Sequence, residues 1–103
     1  MSNVHTLIKE IIDSNKIVLF IKGTTQFPQC GFSDGAIRLL KKIDPKKIFT
    51  VNVLEDTAMR QGIKNYSSWP TIPQLYINGE FIGGYDIMKE MSESGELQNL
   101  LNT

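Results

Sequence analysis

The chain has 103 residues, of which 41% are hydrophobic and 21% charged, proportions typical of one globular domain over residues 1–103 and unlike those of a disordered chain. The formal net charge of +0 gives no bias towards nucleic acid or an anionic membrane. The longest apolar run, Ile17 to Ile21, is far shorter than the ~20 residues that span a bilayer, and residues 1–6 show no secretory signal. We therefore expect a cytoplasmic protein, although a mature organellar matrix form with its presequence removed would look the same.

The N-terminal segment predicts a helix followed by a buried strand. One apolar face recurs at helical spacing and consists of Val4, Leu7, Ile8, Ile11 and Ile12. Ser2 or Asn3 can cap this helix, and residues 13–15 end it. Residues 16–21 form a continuous β-branched and aromatic run, and the lack of alternation indicates a strand buried on both faces.

A second helix and a second strand follow a loop that runs from Gly23 to Cys30. Residues 33–42 return to helical spacing, and the dipeptide at residues 44–45 ends the helix. Residues 48–53 form the next strand. Because strand, helix and strand follow in this order, we expect a βαβ unit with parallel strands.

The next elements are a third helix and a hairpin. The helix begins at residues 55–57 and ends near Tyr66, and a constrained loop follows over residues 67–73. Two short strands, residues 74–77 and 80–82, form a hairpin because Asn-Gly between them is typical of a type I′ turn.

The last helical segment begins with Asp86 as its cap and directs Ile87, Met88 and Met91 inward, and Gly95 separates it from a short C-terminal turn. The predicted fold class is α/β, with a central four-stranded mixed sheet and helices on both faces.

Cys30 is the only cysteine in the chain, so no intramolecular disulfide can form. It precedes a helix, where first-turn N–H groups, the helix dipole and Lys22 across the loop favour its thiolate. Ser33 stands where a Cys-x-x-Cys motif carries its second cysteine. Cys30 must therefore end each exchange on an outside thiol or bind a metal, unless it is an inert buried cysteine.

Three segments resemble the CGFS-type monothiol glutaredoxins, a single-domain group in the thioredoxin superfamily, and the similarity covers essentially the whole chain. They are Lys22-Gly-Thr with Cys30-Gly-Phe-Ser33, the cis-proline loop Trp69-Pro-Thr-Ile-Pro-Gln74, and the glutathione-clamping turn Gly83-Gly-Tyr-Asp86. The chain departs from that family at Thr25, where many members have proline, and at Tyr85, where many have a second cysteine. The resemblance implies a thioredoxin-like (glutaredoxin) fold, bound glutathione and a 2Fe–2S cluster shared between two subunits.

The resemblance also implies site residues, with Cys30 as catalytic thiol and metal ligand. The cofactor-binding candidates are Lys22, Phe32, Arg60, Thr71, Ile72, Pro73, Gly84, Tyr85 and Asp86. Lys22 and Arg60 are the candidate cations for the two glutathione carboxylates, and Lys64 is a weaker candidate. The Ile72 backbone should pair with the cysteinyl unit of glutathione, which requires a cis Pro73, and Asp86 should take the γ-glutamyl ammonium.

Each of these roles has a structural alternative. Arg60 and Lys64 can be solvated charges on a helix, and the loop before Pro73 can be a rigid turn that binds no ligand. Asp86 can be a plain N-cap, and Phe32 can be an aromatic residue of the core. Three further features are interpreted structurally: Trp69 as packing, His5 as a helix-surface residue, and lysines 41, 42, 46 and 47 as a solvated face rather than a docking patch.

The resemblance implies a carrier of a labile iron–sulfur cluster, active in cluster transfer and in redox and iron homeostasis. Its expected partners are glutathione, a second copy of the chain when the cluster is bound, a BolA-like protein and apo iron–sulfur acceptors, with no nucleic acid or membrane. One cysteine supplies one of the four thiolates that such clusters usually take, so two chains and two glutathione thiols complete the set. The alternative is a glutathione-dependent monothiol oxidoreductase that removes glutathione from proteins, expected to be weak in this class.

Overall fold

A computed structural model describes residues 3–43 and 47–102. The elements in chain order are α1 (Asn3–Ser14), β1 (Ile17–Ile21), α2 (Gly31–Ile43), β2 (Ile48–Asn52), a 3-10 turn (Val53–Glu55), α3 (Thr57–Ser67), β3 (Gln74–Ile77), β4 (Glu80–Gly83), α4 (Tyr85–Ser94) and α5 (Glu96–Leu101). The predicted order of helices and strands is confirmed. The predicted helix break at residues 44–45 lies outside the described residues, as do Ser2 and Lys46.

The strands form one mixed sheet in the order β2-β1-β3-β4. β1 and β2 are parallel, with Ile17 opposite Ile48, whereas β3 is antiparallel to both β1 and β4. The turn between β3 and β4 has φ of 52° at Asn78 and 81° at Gly79, as a type I′ hairpin requires. Both predictions, the parallel βαβ unit and the hairpin, are confirmed.

β1 is buried along its whole length because helices cover both faces of the sheet. Its odd residues, Ile17, Leu19 and Ile21, pack with apolar side chains of α2, α4 and α5. Its even residues, Val18 and Phe20, pack with side chains of α1 and α3 on the opposite face. This double burial explains the unbroken apolar run in the sequence, since alternate side chains enter two different cores.

The parallel pairing places the carboxyl ends of β1 and β2 at the same edge of the sheet. At that edge Gly23, two residues after β1, donates its backbone N–H to the Asn52 side-chain oxygen at 2.9 Å. The loop that follows β1 is thereby attached to the end of β2. This edge carries Cys30.

Hydrogen bonds set the starts of α2 and α3, and the predicted start of α3 at Glu55 is wrong. α2 begins at Gly31, directly after Cys30 as predicted and two residues before the helical spacing starts, because the Asp34 N–H donates to the Cys30 carbonyl at 2.9 Å and closes the first turn. α3 begins at Thr57, where Asp56 caps it by accepting from the N–H groups of Ala58 and Met59. Residues 53–55 form the separate 3-10 turn.

Asp86 is not the cap of α4. The Met88 N–H donates to the Gly84 carbonyl at 3.0 Å, so Gly84 is the N-cap and Asp86 lies in the first turn. Ile87 was predicted to face the core but is 38% exposed. Its side chain instead covers Gly83 at the end of β4, where an added Cβ would lie 2.8 Å from the Ile87 Cβ.

Candidate functional site

Cys30 lies immediately before α2, and its side chain is half-buried. Partial burial by itself raises the pKa of the Cys30 thiol, but the N–H groups of Ser33 and Phe32 bond to the sulfur, and the Lys22 charge and the Ser33 hydroxyl add to them. These contributions outweigh burial, so the pKa of Cys30 falls below its ordinary value. The thiolate is therefore favoured at an accessible position, which contradicts the interpretation of Cys30 as an inert buried cysteine.

Ser33 is fully buried and joins the first turn of α2 to the end of β1. Its hydroxyl oxygen accepts the Lys22 N–H at 3.1 Å. The serine that replaces a resolving cysteine is thus a structural link as well as a donor to the Cys30 sulfur. The sequence motif revealed the missing thiol but not this bond, which joins residues eleven apart in the chain.

The segment from Lys22 to Gln29 is closed by backbone hydrogen bonds. The Gln29 N–H donates to the Lys22 carbonyl at 2.8 Å, and the Thr24 N–H donates to the Phe27 carbonyl at 3.2 Å. Gly23 has φ of 97°, and an added Cβ there would lie 2.5 Å from the Phe27 carbonyl oxygen, so glycine is required. We call residues 22–29 the active-site loop.

Asn52 is a site residue that the sequence interpretation missed. Its side-chain oxygen accepts the N–H groups of Gly23 at 2.9 Å and of Leu54 at 3.0 Å, so it holds the active-site loop against the end of β2. The available signal was an amide side chain at the carboxyl end of a strand parallel to the strand before Cys30.

Seven of the candidate site residues named from the sequence line one groove of about 300 Å³. Its lining residues are Lys22, Cys30, Phe32, Thr71, Ile72, Pro73 and Tyr85. The Ile72–Pro73 peptide bond is cis, as expected from the sequence. We call this the cis-proline groove. Phe32 is 61% exposed, so its interpretation as a core aromatic is wrong.

The loop that forms one wall of the cis-proline groove is held by a buried glutamine. The Gln74 side-chain amide donates to the carbonyls of Trp69 at 3.1 Å and Thr71 at 3.2 Å. Its oxygen accepts the Tyr76 hydroxyl at 3.5 Å. Gln74 therefore satisfies backbone acceptors of a loop that has little regular structure, and only the folded chain reveals this role.

Tyr85 also lines the cis-proline groove and is held there by close packing of α4 on α2. An added Cβ at Gly35 would lie 2.6 Å from the Tyr85 Cε1, so only glycine admits the ring at this distance. The Tyr85 ring centroid also lies 6.0 Å from that of Phe32. The position where the related family often has cysteine thus holds an aromatic wall of the groove.

The remaining candidates lie around or outside the cis-proline groove. Gly84 is buried behind the loop, where an added Cβ would lie 3.3 Å from the Pro73 carbonyl oxygen. Asp86 is exposed in the first turn of α4, next to the groove residue Tyr85. Arg60 is exposed and Lys64 half-buried on α3, and neither lines the groove.

His5 and Trp69, for which the sequence predicts no functional role, both lie at the surface. His5 is exposed on α1 with its ring centroid 5.0 Å from that of Tyr66, which confirms a helix-surface residue. Trp69 is 38% exposed and packs against Phe81, with 5.8 Å between the ring centroids.

Within residues 3–43 and 47–102, no three His, Cys, Asp or Glu side chains are grouped so that they could hold a metal ion. No helix in these ranges is long and apolar enough to cross a membrane.

Comparisons with known proteins identify the family. The sequence model of the glutaredoxin family matches residues 17–82. The chain is 52% identical over 102 residues to the mitochondrial monothiol glutaredoxin-5 of Saccharomyces cerevisiae, covering 97% of this chain and 68% of that protein. It is 55% identical over 97 residues to the monothiol glutaredoxin ycf64 of Porphyra purpurea, covering 94% of this chain and 90% of that protein.

Solved structures agree with these relatives. The solution structure of reduced poplar apo GrxS14 superposes with a TM-score of 0.81 at 52% identity, covering 94% of this chain and 88% of that one. A monomeric truncated mutant of Trypanosoma brucei 1-C-Grx1 superposes with a TM-score of 0.87 at 38% identity, covering 99% and 92%. The fold is therefore the thioredoxin-like glutaredoxin fold, and the chain belongs to the glutaredoxin family as one of its monothiol members.

Proposed function

We propose that this protein, as one glutaredoxin domain over residues 1–103, binds glutathione in the cis-proline groove and carries a labile 2Fe–2S cluster between two copies of the chain. The observation that carries the proposal is the position of Cys30. A thiol with a lowered pKa opens into the groove and is the only cysteine of the chain.

The cis-proline groove has the chemistry that a small peptide carboxylate needs. Lys22 and Ile72 both line this groove, so Lys22 can supply a cation and an extended peptide can pair with the Ile72 backbone. The first turn of α4 has no side-chain cap among the described residues, so its N–H groups and Asp86 can meet the two charges of a γ-glutamyl end. A buckwheat glutaredoxin of the same fold was solved as a glutathione complex, at 22% identity and a TM-score of 0.84.

Arg60 and Lys64 remain proposed partners of the second glutathione carboxylate, although both lie on α3 and outside the lining of the groove. Their long side chains would have to reach the ligand from the rim. Phe32, Thr71, Pro73, Gly84 and Tyr85 complete the proposed glutathione-binding set, through contact or through backbone approach.

The cluster is the cargo in this proposal. One chain offers one thiolate, so two chains and two glutathione thiols supply the four that iron–sulfur clusters usually take. Because half of these ligands are bound without covalent attachment to the protein, an acceptor thiol can displace them. We propose apo iron–sulfur proteins as acceptors and a BolA-like protein as a further partner.

The alternative function is glutathione-dependent removal of glutathione from proteins. The Cys30 thiolate would attack the glutathione sulfur of a mixed disulfide and release the protein thiolate. A second glutathione thiolate would then attack the Cys30–glutathione disulfide, freeing Cys30 and forming glutathione disulfide. The lowered pKa of Cys30 favours this reaction as well.

The deciding experiment is anaerobic reconstitution of the purified protein with iron, sulfide and glutathione, beside a Cys30→Ser control. We expect visible absorption and circular dichroism of a 2Fe–2S cluster, a dimer by light scattering, and about one glutathione per chain, all absent from the control. A colourless monomer that turns over a glutathione mixed disulfide would instead establish the alternative. A holo-protein that is monomeric and free of glutathione would contradict the proposed ligand set.

We propose the cytoplasm as the compartment, with an organellar matrix as the alternative, which the mitochondrial name of the yeast relative favours. Imaging of a C-terminal fluorescent fusion of the full gene product would distinguish the two.

A further inference from the structure

Cys30 lies on a second groove, which the glutathione proposal does not use. This groove has a volume of about 720 Å³ and is lined on one side by Thr25, Gln26, Pro28, Gln29 and Cys30, and on the other by one face of α2. A smaller cavity of about 190 Å³, towards β2, shares Thr25, Ile37 and Lys41 with it. We call the two together the α2 groove. It extends from Ile48 and Thr50 of the edge strand β2 to Cys30.

Between two of these lining residues, Gln26 and Pro28, the active-site loop carries an exposed aromatic side chain, Phe27, which does not itself line the α2 groove. Phe27 is 72% exposed, more than any other large hydrophobic side chain among residues 3–43 and 47–102. Its N–H donates to the Thr24 hydroxyl at 3.0 Å, and its carbonyl accepts from Thr24 and from the Gln29 side chain. These hydrogen bonds hold the backbone of the turn, and the exposed Phe27 ring beside the α2 groove offers an apolar contact to a docked partner.

The charge of the α2 groove is positive. Its lining contains Arg38, Lys41 and one acid, Asp34, which pairs with Arg38 at 3.0 Å. Lys41 has no ion-pair partner among the described residues and lies one turn further along α2 from Arg38. The next residue, Lys42, is also exposed on this helix. An occupant with carboxylates would therefore be attracted, and one with ammonium groups repelled.

We propose that the α2 groove docks an extended acidic segment of a partner protein, with Phe27 as its apolar anchor, and so brings a partner cysteine to Cys30 from the side away from glutathione. The partner segment runs beside α2 with its carboxylates at Arg38 and Lys41. The inference rests on the proposed function only for what Cys30 does after docking. It explains how one thiol can face two different sulfur compounds, because each has a separate groove.

The test uses the reduced, cluster-free protein, so that its result does not depend on cluster assembly. The ¹⁵N-labelled chain is titrated with a short peptide in which Ser replaces the partner cysteine and aspartate, glutamate and leucine residues flank it. A matched peptide carries lysines in place of the acids. We expect the acidic peptide to shift the amide signals of Thr25, Gln29, Asp34 and Lys41 and to bind about tenfold more tightly than the lysine peptide.

Three variants separate the contributions. Arg38→Glu with Lys41→Glu should lower the affinity for the acidic peptide about tenfold and remove the preference for acids, and Phe27→Ala should lower it several-fold. Lys89→Glu, a charge reversal at an exposed position on α4, should leave the affinity for the acidic peptide and the preference for acids unchanged. These results together support the proposal.

Several outcomes would overturn it. Equal affinity for the two peptides, or no binding at millimolar peptide, would contradict the acidic occupant. Amide shifts confined to Thr71, Ile72 and Tyr85 would place the peptide in the cis-proline groove instead. Amide shifts in the α2 groove that follow protein concentration alone would indicate a second copy of the chain as the occupant. Failure of the cluster or glutathione proposal appears separately in the reconstitution experiment, as a colourless protein without bound glutathione.

Discussion

At the residue scale, Lys22 is the charge that acts on Cys30 through space. Its positive charge is one of the causes that lower the pKa of the Cys30 thiol. Lys22→Gln should therefore raise that pKa, so that the midpoint of iodoacetamide alkylation moves to higher pH and the rate near pH 7 falls roughly twofold. Lys89→Gln, on α4, is the control and should leave the profile unchanged. An unshifted midpoint in Lys22→Gln would mean that the N–H donors and the Ser33 hydroxyl stabilise the thiolate without Lys22.

Asn52 acts on the same thiol indirectly, as a positioning residue. Asn52→Ala leaves the N–H groups of Gly23 and Leu54 without their acceptor, which should cost about 1–3 kcal/mol in the free energy of unfolding. Because the active-site loop also carries Lys22, the alkylation midpoint of Cys30 should move to higher pH. Asn52→Asp keeps the acceptor oxygen and should recover most of the stability. If Asn52→Ala alters stability without moving the midpoint, the residue is only structural.

At the element scale, the contact of α2 with α4 depends on Gly35. Alanine normally stabilises a helix interior relative to glycine by about 1 kcal/mol, but here its Cβ would lie 2.6 Å from the Tyr85 ring. We expect Gly35→Ala to destabilise by about 1–2 kcal/mol in chemical denaturation, since the ring must leave its packed position.

A double-mutant cycle checks this explanation. In a Tyr85→Ala background the clash is absent, so Gly35→Ala should stabilise by about 0.5–1 kcal/mol, a change of sign. Gly31→Ala, on the same helix but with open space at its Cβ position, should not destabilise in either background. Equal effects of Gly35→Ala in both backgrounds would rule out the Tyr85 contact as the cause.

Tyr76 on β3 gives a pH-dependent prediction. Burial raises the pKa of Tyr76 on β3 to about 12, against a smaller lowering by Ser67, and the unfolded phenol titrates near 10. The folded chain thus holds this proton more tightly, and the stability it contributes is lost as pH rises from about 10 to about 12. The loss should reach roughly 2 kcal/mol. Tyr76→Phe should flatten this part of the curve in urea unfolding; a wild-type slope in that variant would assign the loss to other groups.

At the scale of the whole molecule, ligand binding and folding are linked. If glutathione binds only the folded chain, the thermal midpoint should rise with glutathione concentration, by an amount equivalent to about 2.7 kcal/mol at a hundredfold excess over the Kd. Asp86→Ala should reduce this increase, because the γ-glutamyl ammonium loses its carboxylate, while the midpoint without ligand changes little at this exposed position. Glu93→Ala, also exposed on α4, is the control. No increase in the wild-type protein would contradict the glutathione proposal.

The arrangement of the molecule follows from its two cores. Val18 and Leu19 are adjacent in sequence but enter opposite cores, so β1 joins both helical layers to one sheet. The active-site loop and α2 both follow this strand. A strand that is buried along its whole length therefore supports the thiol, which is what a site with defined geometry needs.

Apolar spacing, turn residues and residue counts are local properties, so the amino-acid sequence was enough to predict the order of elements, the parallel βαβ unit, the hairpin and the chemistry available to one cysteine. The folded chain was needed to reveal the roles of Asn52, Gln74 and Gly35, since each acts on a residue from another element or loop. It also decided that Gly84 rather than Asp86 caps α4, because a closing hydrogen bond sets the start of a helix. The second groove beside Cys30 likewise required the folded chain, since α2 and the active-site loop enclose it only when packed together.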